Sequence, residues 1–552
     1  MSLYFGTQEV CPVFGDGLDE IEDGAELEEY FCPIDIESIL NDYYTDYSQK
    51  AISLIDSTDD TTMLVGAMKY FTSDGIEYSA STSSQTFFHT WDKSKDIVCS
   101  DGHKYRWIVA GSNSTSNKVS LTSFNRQIVA VVAFGTVGTY GDNQTTYLNT
   151  KGLNDCSKLK WAKFNAPFLN LEYSCFARCP SLVKIEFPST LKTIAGYAFE
   201  KCYSLKKVDL ANTELISIGY GAFSYCSSLD EVIMPETIKT IDTNAFIGSG
   251  IKRVTIPKNV TSIGTSAFYN CFQLEKMKIL SPNCNFGSYI FSRCYNLRTI
   301  SLADGLSLVG SSMFDGCYNL KKAFLPSSVT TINSSAFASC YSLNEIRFPA
   351  QLETIGGYAF SGCYNVASLN LPLTISSVGI NAFYNCVRAK GTLDFKNMLT
   401  IIPIRAFSCM QNIEKIFLPE NLIEISERAF SGANCLKELV LPTTLQKIGQ
   451  YAFEDCSCLT ELVLPAECVD INILAFANCS GIQNLVVYSD FNVELNLSSC
   501  KNLSPVCLEA IVMNLKDLST ETSKSLVLGS WNLPKLSTSV QAIATSKNWV
   551  LS

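Results

Sequence analysis

Phenylalanine recurs along the middle of this chain at almost constant spacing, at Phe176, Phe199, Phe223, Phe246, Phe268, Phe291, Phe314, Phe337, Phe360, Phe383, Phe407, Phe430, Phe453 and Phe476. Of the thirteen intervals, ten are 23 residues, two are 24 and one is 22. A period held this strictly means one supersecondary unit copied in tandem, each copy burying its apolar face against the next. It constrains the architecture before any other residue is read. It also moves the functional expectation from chemistry towards recognition, because solenoids present surfaces more often than they enclose active sites.

The rest of the unit is regular too. Alanine precedes the phenylalanine in most copies, as at Ala198, Ala222, Ala336 and Ala359, and cysteine follows three places later in eleven of the fourteen. Leucine comes six places after, as at Leu182, Leu205 and Leu343, and then a short alternating segment such as Ile185-Glu186-Phe187 or Ile346-Arg347-Phe348. Alternation predicts a short strand with one face inward. Proline ends it, as at Pro188 and Pro349, because a residue without an N–H cannot continue the ladder. A second apolar pair such as Leu352 and Ile355 lines the return leg, and Gly264, Gly356, Gly379 or Gly449 follows at a predicted turn. Stacking predicts parallel strands about 4.8 Å apart and a continuous aromatic spine.

This pattern, AF-x-x-C-x-x-L-x-x-I-x-[LF]-P-x-x-[LV]-x-x-I, resembles the BspA-like class of leucine-rich repeats over about residues 170–500. The resemblance implies an α/β-type repeat solenoid, a right-handed superhelix with short parallel strands on the concave face. It also implies a surface-exposed binding or adhesion protein without catalytic residues. Ser249, Met410 and Ala433 replace the repeat cysteine, and the copy after Phe383 (CVRAKGTLDFKNML) lacks the proline, so local irregularity is expected there.

Three regions follow: an acidic, β-rich segment over residues 1–150, the solenoid over 151–500, and a βα cap over 501–552. The net charge of −11 is uneven: residues 1–60 hold sixteen carboxylates against Lys50, a balance of −15, leaving 41 basic and 37 acidic residues, or +4, for the remainder. With no basic run interleaved with aromatics, nucleic acid is not expected as a partner. Outside the period, Ile36 to Ile55 is helix-like, Asp96–Cys99 and His103–Val109 form a predicted hairpin around Ser100-Asp101-Gly102, and Ile128–Phe134 suits a buried strand. In the cap, Ser504-Pro505 starts a helix, followed by a strand over 525–529, a helix near 537–546 and a last strand at 549–551.

The 23 cysteines do not read as a disulfide framework. Cys179, Cys202, Cys226, Cys271, Cys294, Cys317, Cys340, Cys363, Cys386, Cys456 and Cys479 follow the period, so they are placed as small buried apolar side chains with parallel Cβ vectors. Reduced thiols fit a protein folded in a reducing compartment. The opening MSLYFGTQEVCPVFGDG has neither the basic nor the apolar segment of a signal peptide, and no apolar run is long enough for membrane insertion. Cytoplasmic synthesis with surface or virion display is the expected localisation. The opening SLYFGT is similar to that of repeat proteins of gut bacteria and their phages, which implies a rival role as a virion or prophage tail-associated host-recognition component.

Three constellations bear on chemistry. His89, Cys99, Asp101 and His103 cluster in sequence, but a two-residue Asp101-Gly102 turn would pair Cys99 with Lys104 and put Cys99 and His103 on opposite faces. Asp19 to Glu29 is faintly like a calcium loop, yet Ile21 and Tyr30 stand where ligands are needed. Gly135, Gly138 and Gly141 lack the dinucleotide spacing and read as a linker. No catalytic residue, cofactor or metal is therefore expected, and a hydrolase in the N-terminal region is the weakest reading.

Recognition candidates lie on the solenoid. Directly after the repeat cysteine stand Phe272, Tyr295, Tyr318, Tyr341 and Tyr364, a row able to stack on sugars or anchor a protein. Outward strand positions carry Lys184, Lys207, Arg253, Lys276 and Lys322, with Glu345, Glu438 and Glu461 later, and a neighbouring row ends in Phe417, Val440, Val463 and Val486. The expected function is non-enzymatic binding of a protein or glycan through these surfaces, with oligomerisation through the N-terminal region as an option.

Overall fold

The computed structural model describes residues 154–552 apart from 158, 165–168 and 396–398, and before them the strands Met68–Thr72, Thr86–Thr90, Ile97–Val98, Lys104–Ser112, Ile128–Ala133 and Tyr147–Leu148. From Asp155 to Asn496 the chain is a parallel-strand solenoid of many turns, in which each 23-residue copy makes one coil. Two ladders run along it. One is built from strands of mostly three or four residues, Lys184–Glu186, Lys207–Asp209, Glu231–Ile233, Arg253–Ile256, Lys276–Ile279 and their successors. The other is built from two-residue strands such as Thr193–Ile194, Ser217–Ile218 and Thr240–Ile241. In both, the central or second apolar residue is buried: Ile185, Val208, Val232 and Val254 on one side, Ile194, Ile218, Ile241 and Ile263 on the other.

Between the ladders runs the phenylalanine spine. Every ring from Phe176 to Phe476 is buried, and each stacks on the next with centroids 5.0 to 5.9 Å apart and planes within 21°. The expected core residues Phe199, Phe223, Phe268, Phe291, Phe337, Phe360, Phe453 and Phe476 all lie in it. The repeat cysteines lie beside it as buried thiols. They are not merely apolar filler: from Cys202 onward each Sγ–H points at the phenylalanine carbonyl of the preceding coil, for example Cys226 to Phe199 at 3.1 Å, Cys340 to Phe314 at 3.2 Å and Cys479 to Phe453 at 3.0 Å.

A third hydrogen-bonded ladder lies at the spine itself. Residues two before and two after the phenylalanine adopt left-handed backbone, as at Tyr197 and Lys201, Ser335 and Ser339, or Asn381 and Asn385. This conformation costs a non-glycine residue about 1–2 kcal/mol. It turns the N–H groups of alternate residues towards the next coil, so that Tyr197, Phe199 and Lys201 donate to the carbonyls of Tyr220, Ala222 and Ser224 at 2.7 to 2.8 Å. The same triplet of bonds recurs at Asn244, Phe246 and Gly248.

The glycines expected at a turn open one, as Ala359 N–H donates to the Gly356 carbonyl at 3.3 Å, but it is not the turn that requires glycine. Gly264, Gly356, Gly379 and Gly449 do not have positive φ, but a Cβ at each would stand 2.2 to 2.6 Å from a backbone nitrogen of the preceding coil. Close approach of neighbouring coils, not a special φ, excludes a side chain there.

Irregularity falls near the expected place. No strand forms over Ala367–Leu371, and the strand Lys390–Asp394 that follows carries a register shift after Gly391. The outward strand face is thereby divided into a segment over Lys184–Arg347 and another over Lys390–Val486, the second paired in two groups, Lys390–Asp394 to Glu438–Val440 and Glu461–Val463 with Asn484–Val486. At the N-terminal edge the first segment continues into hairpins. Ile128–Ala133 pairs in parallel with Trp161–Phe164 and antiparallel with Met68–Thr72, which in turn pairs with Lys104–Ser112. At the other end, helices Pro505–Met513 and Thr538–Ser546, N-capped by Ser504 and Ser537, flank the parallel strands Leu495–Asn496, Lys524–Val527 and Trp549–Leu551. Among the described residues no helix is long and apolar enough to cross a membrane.

Candidate binding surface

The tyrosine row forms a physical stack. Tyr295, Tyr318, Tyr341 and Tyr364 lie face to face at 4.8, 4.7 and 5.1 Å. Tyr318, Tyr341 and Tyr364 are exposed, as is Phe272. Because each inner ring is covered on both faces by its neighbours, the row presents ring edges and phenol hydroxyls. Its backbone is held by turn bonds such as Tyr341 N–H to Ser339 C=O at 2.9 Å.

The lysine row is less basic than its spacing suggests. In register, Lys207 stands beside Glu231, Glu231 beside Arg253, Arg253 beside Lys276, Lys276 beside Thr299 and Lys322 beside Glu345. Lys184 pairs with Glu186 at 3.2 Å, Lys207 with Glu231 at 3.0 Å and Lys322 with Glu345 at 3.2 Å. The hydrogen bond from Lys322 holds the Glu345 carboxyl below its usual range, with Arg347 adding to it. Arg253 and Lys276 carry the row's remaining positive charge, and Lys278 extends it to the adjacent outward row.

That adjacent row changes character along the molecule. In the first segment it reads Glu186, Asp209, Ile233, Thr255, Lys278, Ser301, Phe324 and Arg347. Its one exposed aromatic, Phe324, lies under the Arg347 guanidinium at 4.9 Å. In the second segment it reads Asp394, Phe417, Val440, Val463 and Val486, of which the last four are 39%, 63%, 59% and 53% exposed. Phe417 pairs with Val440 and Val463 with Val486, and the strands Glu438–Val440 and Glu461–Val463 lie side by side. The fold accepts aspartate, lysine, serine or arginine at this repeat position, so four successive large apolar side chains are not needed for stability. Beside them runs a polar row: Lys415, which pairs with Glu438 at 2.6 Å, then Glu461, which accepts from Asn484 at 3.4 Å.

Of the other constellations, Val98 pairs with Lys104, one residue away from the expected pairing of Cys99 with Lys104. The hairpin is therefore offset by one residue, as a longer loop than the two-residue turn requires. Cys99, Asp101 and His103 lie outside the described residues, as do the acidic stretch Asp19 to Glu29 and Gly135, Gly138 and Gly141. Among the described residues no group of three or more His, Cys, Asp or Glu side chains is placed to hold a metal ion.

Stacked parallel strands, a buried aromatic spine and outward rows free to vary define a leucine-rich repeat protein, a class of binding proteins that is in general non-enzymatic. The chain matches the family model of the BspA type leucine-rich repeat region over residues 146–275, 261–390 and 390–504. It belongs to that family. Among solved structures it is similar to a leucine-rich repeat protein from Bacteroides ovatus, with 23% identity over 77% of this chain and 94% of that one and a TM-score of 0.48. It is also similar to a leucine rich cell surface protein from Faecalibacterium prausnitzii (24% identity, 53% and 75% covered, TM-score 0.33) and a leucine-rich repeat protein from Eubacterium ventriosum (20%, 63% and 90%, TM-score 0.39). No curated protein matches the chain.

Proposed function

We propose that this protein is a non-enzymatic adhesion or binding protein whose outward strand face, at its C-terminal segment, takes a partner protein. The observation that carries this reading is the exposed ladder of Phe417, Val440, Val463 and Val486 at a position where Glu186, Asp209, Lys278 and Arg347 stand in earlier coils. Burying such side chains against a partner contributes about 25 cal/mol per Å² of apolar surface, and contiguous exposed apolar rows mark interaction sites. The acidic Glu461 beside the ladder favours a partner segment that mixes apolar and basic side chains. Arg253, Lys276 and Lys278 on the first segment, and the hydroxyl edge of the Tyr295–Tyr364 stack, serve as secondary contacts.

A glycan ligand is the weaker reading. Sugar rings bind by lying on aromatic faces, and in the tyrosine stack those faces cover one another. Binding of the full chain to parallel arrays of proteins and glycans separates the two. The expected result is protein binding that is lost in the Val440→Asp, Val463→Asp double variant with an unchanged unfolding midpoint. Retention of binding by that variant, or binding confined to the glycan array, contradicts the reading.

A further inference from the structure

Twenty cysteines lie among the described residues, and one is exposed, Cys458. It occupies the position five residues after the spine phenylalanine Phe453, outside the coil, whereas Cys456 two residues earlier points its thiol at the Phe430 carbonyl inside. The same position in the preceding coil, five residues after Phe430, is Cys435, which is half-buried. The two stand in register. Cys458 N–H donates to the Asn434 carbonyl at 3.1 Å, and Cys435 N–H donates to the Gln411 carbonyl at 3.1 Å, so each residue at this position sits directly over its counterpart.

Asparagine side chains at this position reach one another. Asn296 and Asn319 hold the same place in the coils of Phe291 and Phe314, and the Asn319 amide donates to the Asn296 side-chain oxygen at 3.3 Å. Stacked coils bring equivalent Cα atoms to about 4.8 Å, inside the range of about 4.4–6.8 Å that a disulfide spans. The repeat cysteines of the interior are spaced as closely, but their thiols are buried and committed to carbonyls. Among the described residues Cys458 is the one exposed cysteine, and it has a thiol at the same position of the preceding coil. Cys435 and Cys458 also belong to the coils that carry Val440 and Val463, and their pairing is independent of what binds there.

We infer that Cys435 and Cys458 form a redox-responsive dithiol on the solenoid surface, closed to an inter-coil disulfide by exchange with a small-molecule disulfide. The Cys458 thiolate attacks one sulfur of the reagent, forming a mixed disulfide and releasing one small thiol, which takes up the proton Cys458 gave up. The Cys435 thiolate then attacks the Cys458 sulfur, forming the Cys435–Cys458 bond and releasing the second small thiol with the second proton. Two protein thiols are oxidised and one reagent disulfide is reduced. The bond ties the coil of Phe430 to the coil of Phe453 and restricts their separation on unfolding.

The test is to treat the folded full chain with oxidised glutathione and map the products by peptide mass spectrometry. The expected product is a single Cys435–Cys458 crosslink, with the buried repeat cysteines unmodified and a raised unfolding temperature that dithiothreitol reverses. Cys435→Ser should convert the product to a stable glutathione adduct on Cys458, and Cys458→Ser should abolish reaction at this site. A glutathione adduct that persists on Cys458 in the unaltered chain, a crosslink to another cysteine, or no reaction at Cys458 overturns the inference.

Discussion

Single residues in this solenoid are chosen by the coil next to them more than by their own backbone. Phe337 and Cys340 were legible from the sequence because their period and chemistry coincide: an aromatic spine must be periodic, and a small thiol fits beside it. The carbonyl that Cys340 satisfies was not legible, since it belongs to Phe314 in another coil. The left-handed positions left only a faint trace, the recurrence of Gly, Asn or Asp two places after the phenylalanine at Gly316, Gly362, Asn385, Gly432 and Asp455. Tyrosine and arginine occupy equivalent places elsewhere, at Tyr225 and Arg293, which hides the signal. Gly356 is legible as a turn residue, but what excludes a side chain there belongs to another coil. A Cβ there would lie 2.5 Å from the Ser334 backbone nitrogen, so Gly356→Ala should destabilise the chain by about 1–3 kcal/mol, the usual cost of overpacking. Urea denaturation measures it, and an unchanged or higher midpoint would mean that the coils separate freely.

Elements were legible where one signal was local and strong. The Ser504-Pro505 helix start, the helix ending at Ser546 and the strand Trp549–Leu551 stand where the capping residues and apolar pattern predict. The N-terminal hairpin was placed one residue off because a turn motif alone does not set loop length. The anchoring of the cap to the last coils came only with the structure. Asn532 is fully buried, donates to the carbonyls of Leu497 and Cys500 at 2.9 and 3.1 Å, and accepts from Lys535 at 3.0 Å. Asn532→Ala leaves those buried carbonyls without a donor, at a cost of about 1–3 kcal/mol. Hydrogen exchange should speed up across Pro505–Met513 while the amides of Phe337 and Phe360 keep their protection. Equal loss of protection in both would show that cap and coils open as one unit.

On the scale of the whole molecule, the stacked thiols make stability depend on pH. Burial pushes Cys226 and Cys500 up to about 12, and raises Cys340 and Cys386 in the same direction. In the unfolded chain these thiols ionise near about pH 8.5. A group whose folded pKa is raised favours the folded state at lower pH and loses that contribution as pH rises towards the folded value. Each such thiol therefore removes on the order of 1.4 kcal/mol per pH unit above about pH 9. The urea midpoint should fall steeply between about pH 9 and pH 11, and less steeply for Cys226→Ser. A flat profile would mean that the thiols are not buried as described.

The same regularity that makes the fold legible conceals the ligand, because outward rows are free to vary without disturbing the spine. The lysine row is spaced like a continuous basic stripe, but the register interposes Glu231, whereas the Phe417 to Val486 row is legible as an apolar run and the structure adds that all four side chains are exposed on neighbouring strands. The most direct test is the affinity of the full chain for the protein that it binds most strongly on an array, measured with and without Val440→Asp and Val463→Asp. The account predicts at least about a tenfold loss, which corresponds to about 1.4 kcal/mol, at an unchanged unfolding temperature. Equal affinity in the folded double variant would contradict it.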